Sequence, residues 1–128
     1  MTEHLLVFGL GYAGAAVARA AVEAGMVVRA TSRNPAAASA LAGVEVVNFA
    51  AASLEGVTHV LATVPPDAGT GGDADPVLAA HRAALAGCAS LRWVGYLSST
   101  GVYGDRRGGW VDEGSAVAPV SEHSRRRL

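Results

Sequence analysis

"HLLVFGLGYAGAAVARAAVEAG" runs from His4 to Gly25, and its reading decides the fold. It opens as a short apolar run and closes as an alanine-rich periodic stretch, with Gly9, Gly11 and Gly14 at the junction. A short apolar run bounded by glycine reads as a buried strand. From Tyr12 to Ala24, small apolar residues at Ala13, Ala16, Val17, Ala20 and Ala24 keep the spacing of one helix face, and Gly25 is a stop signal. G-x-G-x-x-G between a strand and a helix has a mechanism. Gly9 permits the tight turn, Gly11 lets backbone approach a pyrophosphate, and Gly14 lets the helix pack closely on the strand. The first helical N–H groups, including those of Tyr12 and Ala13, then offer positive potential to the phosphates. A second reading stays open, in which the turn needs small residues for packing only.

Outward from this turn the same alternation repeats. "MVVRAT" (26–31) is a second strand, and "NPAAASALAG" (34–43) reads as a short helix entered at Pro35 and ended by Gly43. "VEVVNF" (44–49) and "VTHVLATV" (57–64) are a third and fourth strand. "PPDAGTGGDADP" (65–76) has nothing with which to pack a core and reads as a mobile loop. A helix then starts at Pro76, behind Asp75 as N-cap, and ends at Gly87; "LRWVGYLSS" (91–99) is a fifth strand. Strands and helices that alternate through short connections give a parallel sheet covered on both faces. With right-handed crossovers this is an α/β doubly wound Rossmann fold of strand order 3-2-1-4-5. The expected organisation is one dinucleotide-binding domain over 1–128, cut before a sixth strand and a substrate domain. In such a fold the ligand lies across the carboxyl ends of strands one and four, which here means the glycine turn, Val64 and Pro65.

The end of the second strand selects the cofactor. Sites that prefer NAD carry an acid there to accept hydrogen bonds from the ribose hydroxyls. Here the stretch is "ATSRNP", without a carboxylate; Thr31 and Ser32 offer hydroxyls and Arg33 a guanidinium suited to a 2′-phosphate. NADP is therefore expected over NAD, against the plainer alternative of a solvated Arg33 in a loop.

Composition narrows the function further. A formal net charge of −1 gives no electrostatic case for nucleic acid or for an anionic membrane surface. No apolar run is long enough to span a bilayer and no secretory leader is visible, so the cytoplasm is the expected location. Cys88 is the single cysteine and cannot form an internal disulfide. The histidines show no metal-ligand spacing, so no metal is expected. All 10 basic side chains are arginine. Mechanisms that depend on lysine are thereby excluded.

The fifth strand runs into "YLSSTGVYGDRRGGWVDE" (96–113). Together with the glycine turn, this stretch resembles the extended short-chain dehydrogenases, the NAD(P)-dependent epimerase/dehydratase family of nucleotide sugars. The resemblance covers almost all of this chain but only about the N-terminal half of such a protein. It implies that Ser99, four residues before the "VYG" tyrosine, helps to bind a substrate oxygen. It also implies a tyrosine base on the next helix, with a lysine four residues on that lowers the phenol's pKa. The chain departs from both requirements. Its tyrosines are Tyr12, Tyr96 and Tyr103, lysine is absent, and Phe8 stands where the family's usual first glycine would fall. Tyr103 and Arg107 copy the spacing, but on the "VYG" loop. Matching "RRRL" to the family's helix puts His123 and Arg127 at the tyrosine and lysine positions, and a shift of one residue puts Ser124 and Leu128 there. His123 would serve as a base near neutrality; a surface histidine near a helix start is the commoner case. The expected function is the NADP(H)-binding part of an atypical epimerase/dehydratase-like reductase acting on a small carbonyl substrate. The alternative is a non-catalytic cofactor-binding or redox-sensing protein. With no sixth strand, apolar surface along the fifth would favour self-association into a homo-oligomer.

Overall fold

The structure is a computed structural model and describes residues 1–38, 40–67 and 75–128. Five parallel strands form one sheet in the order β3-β2-β1-β4-β5. They are β1 (His4–Phe8), β2 (Val27–Ser32), β3 (Val44–Asn48), β4 (His59–Ala62) and β5 (Trp93–Tyr96). The helices are α1 (Tyr12–Glu23), α2 (Pro76–Gly87) and α3 (Glu122–Arg127). This is the Rossmann-like order expected from the alternation of strands and helices.

Residues divide into two compact units, Met1–Val64 with Val77–Leu97, and Pro65–Pro76 with Ser98–Leu128. The sheet, α1 and most of α2 make the first. Successive side chains of a strand point to opposite faces, and β1 uses both. Leu5 and Val7 join a cluster with Ala18, Ala21, Val28, Ala30 and Leu61. Leu6 and Phe8 join the other, with Leu54, Val57, Val60, Ala62 and Val77. His81 of α2 is buried against the second cluster. Its Nε2 lies 2.8 Å from the Phe49 carbonyl oxygen, and its ring sits 4.9 Å from Phe8 and 5.2 Å from Phe49.

Two expectations are corrected. The inner face of α1 is Gly14, Ala18 and Ala21, whereas Ala13, Ala16, Val17, Ala20 and Ala24 are exposed. The helix is so rich in alanine that composition alone does not choose a face; the close approach at Gly14 does. A Cβ there would overlap the Gly9 carbonyl oxygen and lie 3.3 Å from Val7 Cγ1. The short helix expected after Asn34 is a single 3-10 turn, Pro35–Ala37, after which Ala38 is extended. The stretch that follows serves instead to bury Leu41 under α1. Of the expected loop over 65–76, residues 68–74 lie outside those described.

The second unit is built from turns. Ser99 caps a 3-10 turn over Thr100–Tyr103, its Oγ accepting from the Gly101 N–H at 3.2 Å. Ser121 caps α3 in the same way, accepting from the Ser124 N–H at 3.1 Å. Arg106 ties the loop, donating from Nε to the Tyr103 carbonyl at 3.0 Å and from Nη2 to the Ala116 carbonyl. Among the described residues no helix is long and apolar enough to cross a membrane, and no group of three or more His, Cys, Asp or Glu is placed to hold a metal.

Candidate functional site

The site in the first unit forms where β1 ends and α1 begins. Gly9 has φ +98°, a conformation that L side chains rarely adopt, and a Cβ there would overlap Thr63 Oγ1. Gly14 is required by the contact with Gly9 described above. Gly11 differs from both. It is the N-cap of α1 with φ −91° and ψ −161°, an extended conformation open to any residue, and a Cβ added to it meets nothing within 4 Å. The fold needs glycine at Gly9 and Gly14. It does not need it at Gly11.

Strands β2 and β4 flank this turn and hold it. The Gly9 N–H donates to Thr31 Oγ1 at 3.1 Å. From the other side, the Thr63 hydroxyl lies 2.8 Å from the Gly9 carbonyl oxygen and 2.9 Å from that of Phe8. Thr31 is buried at 1% exposure, so its hydroxyl serves the turn from inside the protein. Sequence reading gave Thr31 only as a hydroxyl near the ribose and did not single out Thr63. The signal was faint: a threonine near the end of each of the two strands beside β1.

After Thr31 the chain leaves the sheet through Ser32 and Arg33. Ser32 Oγ accepts from the Asn34 N–H at 3.1 Å, a small turn that shapes the exit, and Arg33 is exposed. Val64 is half-buried, packs against the Leu6–Phe8 cluster, and its Cγ2 would lie 3.1 Å from a Cβ at Gly9. The first unit thus gathers Gly9, Gly11, Tyr12, Ala13, Gly14, Ser32, Arg33 and Val64 at the carboxyl ends of β1, β2 and β4. Tyr12 is 98% exposed. Pro65 follows in the chain, is exposed, and belongs to the second unit.

Ser99 and His123 lie in the second unit. Ser99 is half-buried, and His123 is exposed on α3. The α3 residue that faces the "SSTGVYG" turn is Ser124, 7% exposed, whose Oγ occupies the space a Cβ at Gly101 would enter. Ser99 Oγ lies 3.4 Å from that same point, so the hydroxyls of Ser99 and Ser124 flank Gly101. Ser121 Oγ donates to Ser124 Oγ at 2.9 Å. Of the two alignments left open by the sequence, it is the shifted one whose residue, Ser124, meets this turn.

No protein-family model matches the chain, and no curated protein matches it. Solved structures do. A functionally unknown conserved protein from Silicibacter pomeroyi is 43% identical, with a TM-score of 0.84 over 98% of this chain and 45% of that one. A short-chain dehydrogenase/reductase superfamily protein from Agrobacterium tumefaciens, solved with bound NAD, is 25% identical, with a TM-score of 0.65 over 98% of this chain and 42% of that one. The chain spans less than half the length of either. Its fold is Rossmann-like, and the second of these neighbours is a short-chain dehydrogenase/reductase superfamily protein.

Proposed function

We propose that this chain is the NADP(H)-binding part of an atypical short-chain reductase of the epimerase/dehydratase kind. The observation that carries the reading is Gly11. A glycine that the protein's own packing and backbone do not require, at the N-terminus of a helix that opens from the end of a strand, fits a ligand phosphate brought close to the backbone. The N–H groups of the first helical turn have no intrahelical partners and suit a pyrophosphate. The NAD held by the 25% identical neighbour supports the same class of ligand.

The preference for NADP rests on Arg33, exposed just beyond β2, and on the absence of an acid in "ATSRNP". A guanidinium pairs with a 2′-phosphate through charge-assisted hydrogen bonds, worth about 1.5–3 kcal/mol or roughly ten- to a hundredfold in affinity. When bound, the nicotinamide would supply or accept a hydride. The chain's own contribution to the chemistry is a hydroxyl, that of Ser99, to polarise a substrate oxygen. No lysine is present to make a tyrosine a base, and this favours either a donor outside these 128 residues or a protein that binds cofactor without turning it over. By itself the chain is expected to bind NADP(H) and to show no oxidoreductase turnover.

Titration calorimetry with NADPH and NADH tests the reading. NADPH should bind more tightly, and Arg33→Ala should weaken NADPH by about ten- to a hundredfold while leaving NADH nearly unchanged. Equal loss of both would make Arg33 a loop residue, and no binding of either would end the reading. Steady NADPH oxidation by the purified chain with any nucleotide sugar or aldehyde would contradict the expectation of no turnover.

A further inference from the structure

The three glycines do not hold their turn unaided. Gly9 sits between two threonines from different strands, Thr31 at the end of β2 and Thr63 just after β4. The Gly9 N–H is committed to Thr31 Oγ1, and the Gly9 carbonyl lies 2.8 Å from the Thr63 hydroxyl. Both polar groups of one residue are thus bonded to side chains 22 and 54 positions away in the sequence. A turn with positive φ normally satisfies its backbone locally or in water; this one is fixed by the sheet on either side.

We infer that Thr31 and Thr63 are positioning residues for the pyrophosphate cradle, acting through Gly9 rather than by touching the ligand. The inference rests on the proposed dinucleotide site and extends it. The Gly9 N–H is already used, so the donors for phosphate are the amides beyond it, Gly11, Tyr12 and Ala13. Thr63 fixes the Gly9–Leu10 peptide, from which the backbone enters the helix start that carries those amides, because rotation of that peptide would break the contact with its hydroxyl. Gly14 also packs closely on the Gly9 carbonyl, where a Cβ would overlap it. A ligand with a pyrophosphate feels this brace. One that engages only the Ser32–Arg33 end does not.

The test compares three ligands on the full chain by calorimetry: NADPH, ADP-ribose and 2′-AMP. Thr63→Val keeps the side-chain shape and removes the hydroxyl. It should weaken NADPH and ADP-ribose about tenfold, the size of one lost hydrogen bond, and leave 2′-AMP unchanged. Thr63→Ser should restore the parent affinity. A merely structural role would lower the thermal midpoint without separating the ligands in this way. If Thr63→Val does not fold, amide hydrogen exchange on the unmodified chain decides. The Gly9 amide should exchange slowly with or without ADP-ribose, whereas Gly11, Tyr12 and Ala13 should become protected only on its addition. Folded Thr63→Val that binds all three ligands like the parent, or a Gly9 amide protected only by ligand, overturns the brace and leaves the dinucleotide site standing. Failure of the parent to bind NADPH and ADP-ribose overturns both.

Discussion

Strands β1 and β5 belong to the same parallel sheet, are both short and apolar, and end in opposite surroundings. In β1, "HLLVF", four of the five residues are buried and Leu6, Val7 and Phe8 have no exposure at all. In β5, "WVGY", Trp93 is 49% exposed, Val94 57% and Tyr96 38%. The difference is position. β1 has β2 and β4 on its two edges, α1 over one face and the Leu54–Val60–Val77 cluster over the other. Among the described residues, β5 pairs with β4 along one edge and with no strand along the other. On one of its faces the Trp93 ring stands 6.3 Å from His59 and lies over Gly95, where a Cβ would overlap it. Apolar composition identifies a strand; its neighbours decide whether burial follows. The sheet is deepest where the glycine turn leaves it.

The contrast can be broken by substitution. Phe8→Ala should cost the most, about 3–5 kcal/mol, because it empties a site packed by Phe49, His81 and Leu6. Chemical denaturation of the variant measures this, and a loss below 1 kcal/mol would mean that β1 is not the centre of the core. Gly14→Ala should follow at about 1–3 kcal/mol, since its Cβ has to displace the Gly9 carbonyl. It should also weaken dinucleotide binding, because the same shift moves the turn. Val94→Thr, on the exposed strand, should stay within about 0.5 kcal/mol of the parent. A larger loss would show that β5 is covered in solution, by a second copy or otherwise, and sedimentation of the same sample at several concentrations would identify self-association.

Most of the architecture could be read from the sequence because the signals were local. Each strand announced itself as a short apolar run with a glycine or proline near at least one end, and the handedness of crossovers then favoured one strand order. Register and facing were less legible. In α1, alanine on every side concealed that the face of Gly14 is the inner one. After Pro35, among the described residues, an alanine-rich stretch with good helix propensity makes a single 3-10 turn, and Leu41 further on is buried in the cluster with Ala18 and Ala21. The proposed site rests on glycines that stand out in the sequence and on threonines that do not. Thr31 and Thr63 matter through contacts with a residue far away in the chain, which no spacing rule encodes. The same holds for Ser124, which meets Gly101 through the packing of α3 on the 3-10 turn.

Gly11 gives the most direct test of the central claim, that this glycine exists for a ligand and not for the fold. It caps α1 without a side-chain hydrogen bond. Gly11→Asp would add a carboxylate able to accept from the first-turn N–H groups and to favour the helix dipole, a gain on the order of a few tenths of a kcal/mol. The same carboxylate would fill and charge the space proposed for a pyrophosphate. Thermal unfolding and NADPH titration on one preparation of the variant should therefore move in opposite directions, with a midpoint equal to or above the parent's and binding abolished. A Gly11→Asp chain that folds and still binds NADPH as tightly as the parent would contradict the assignment of the turn.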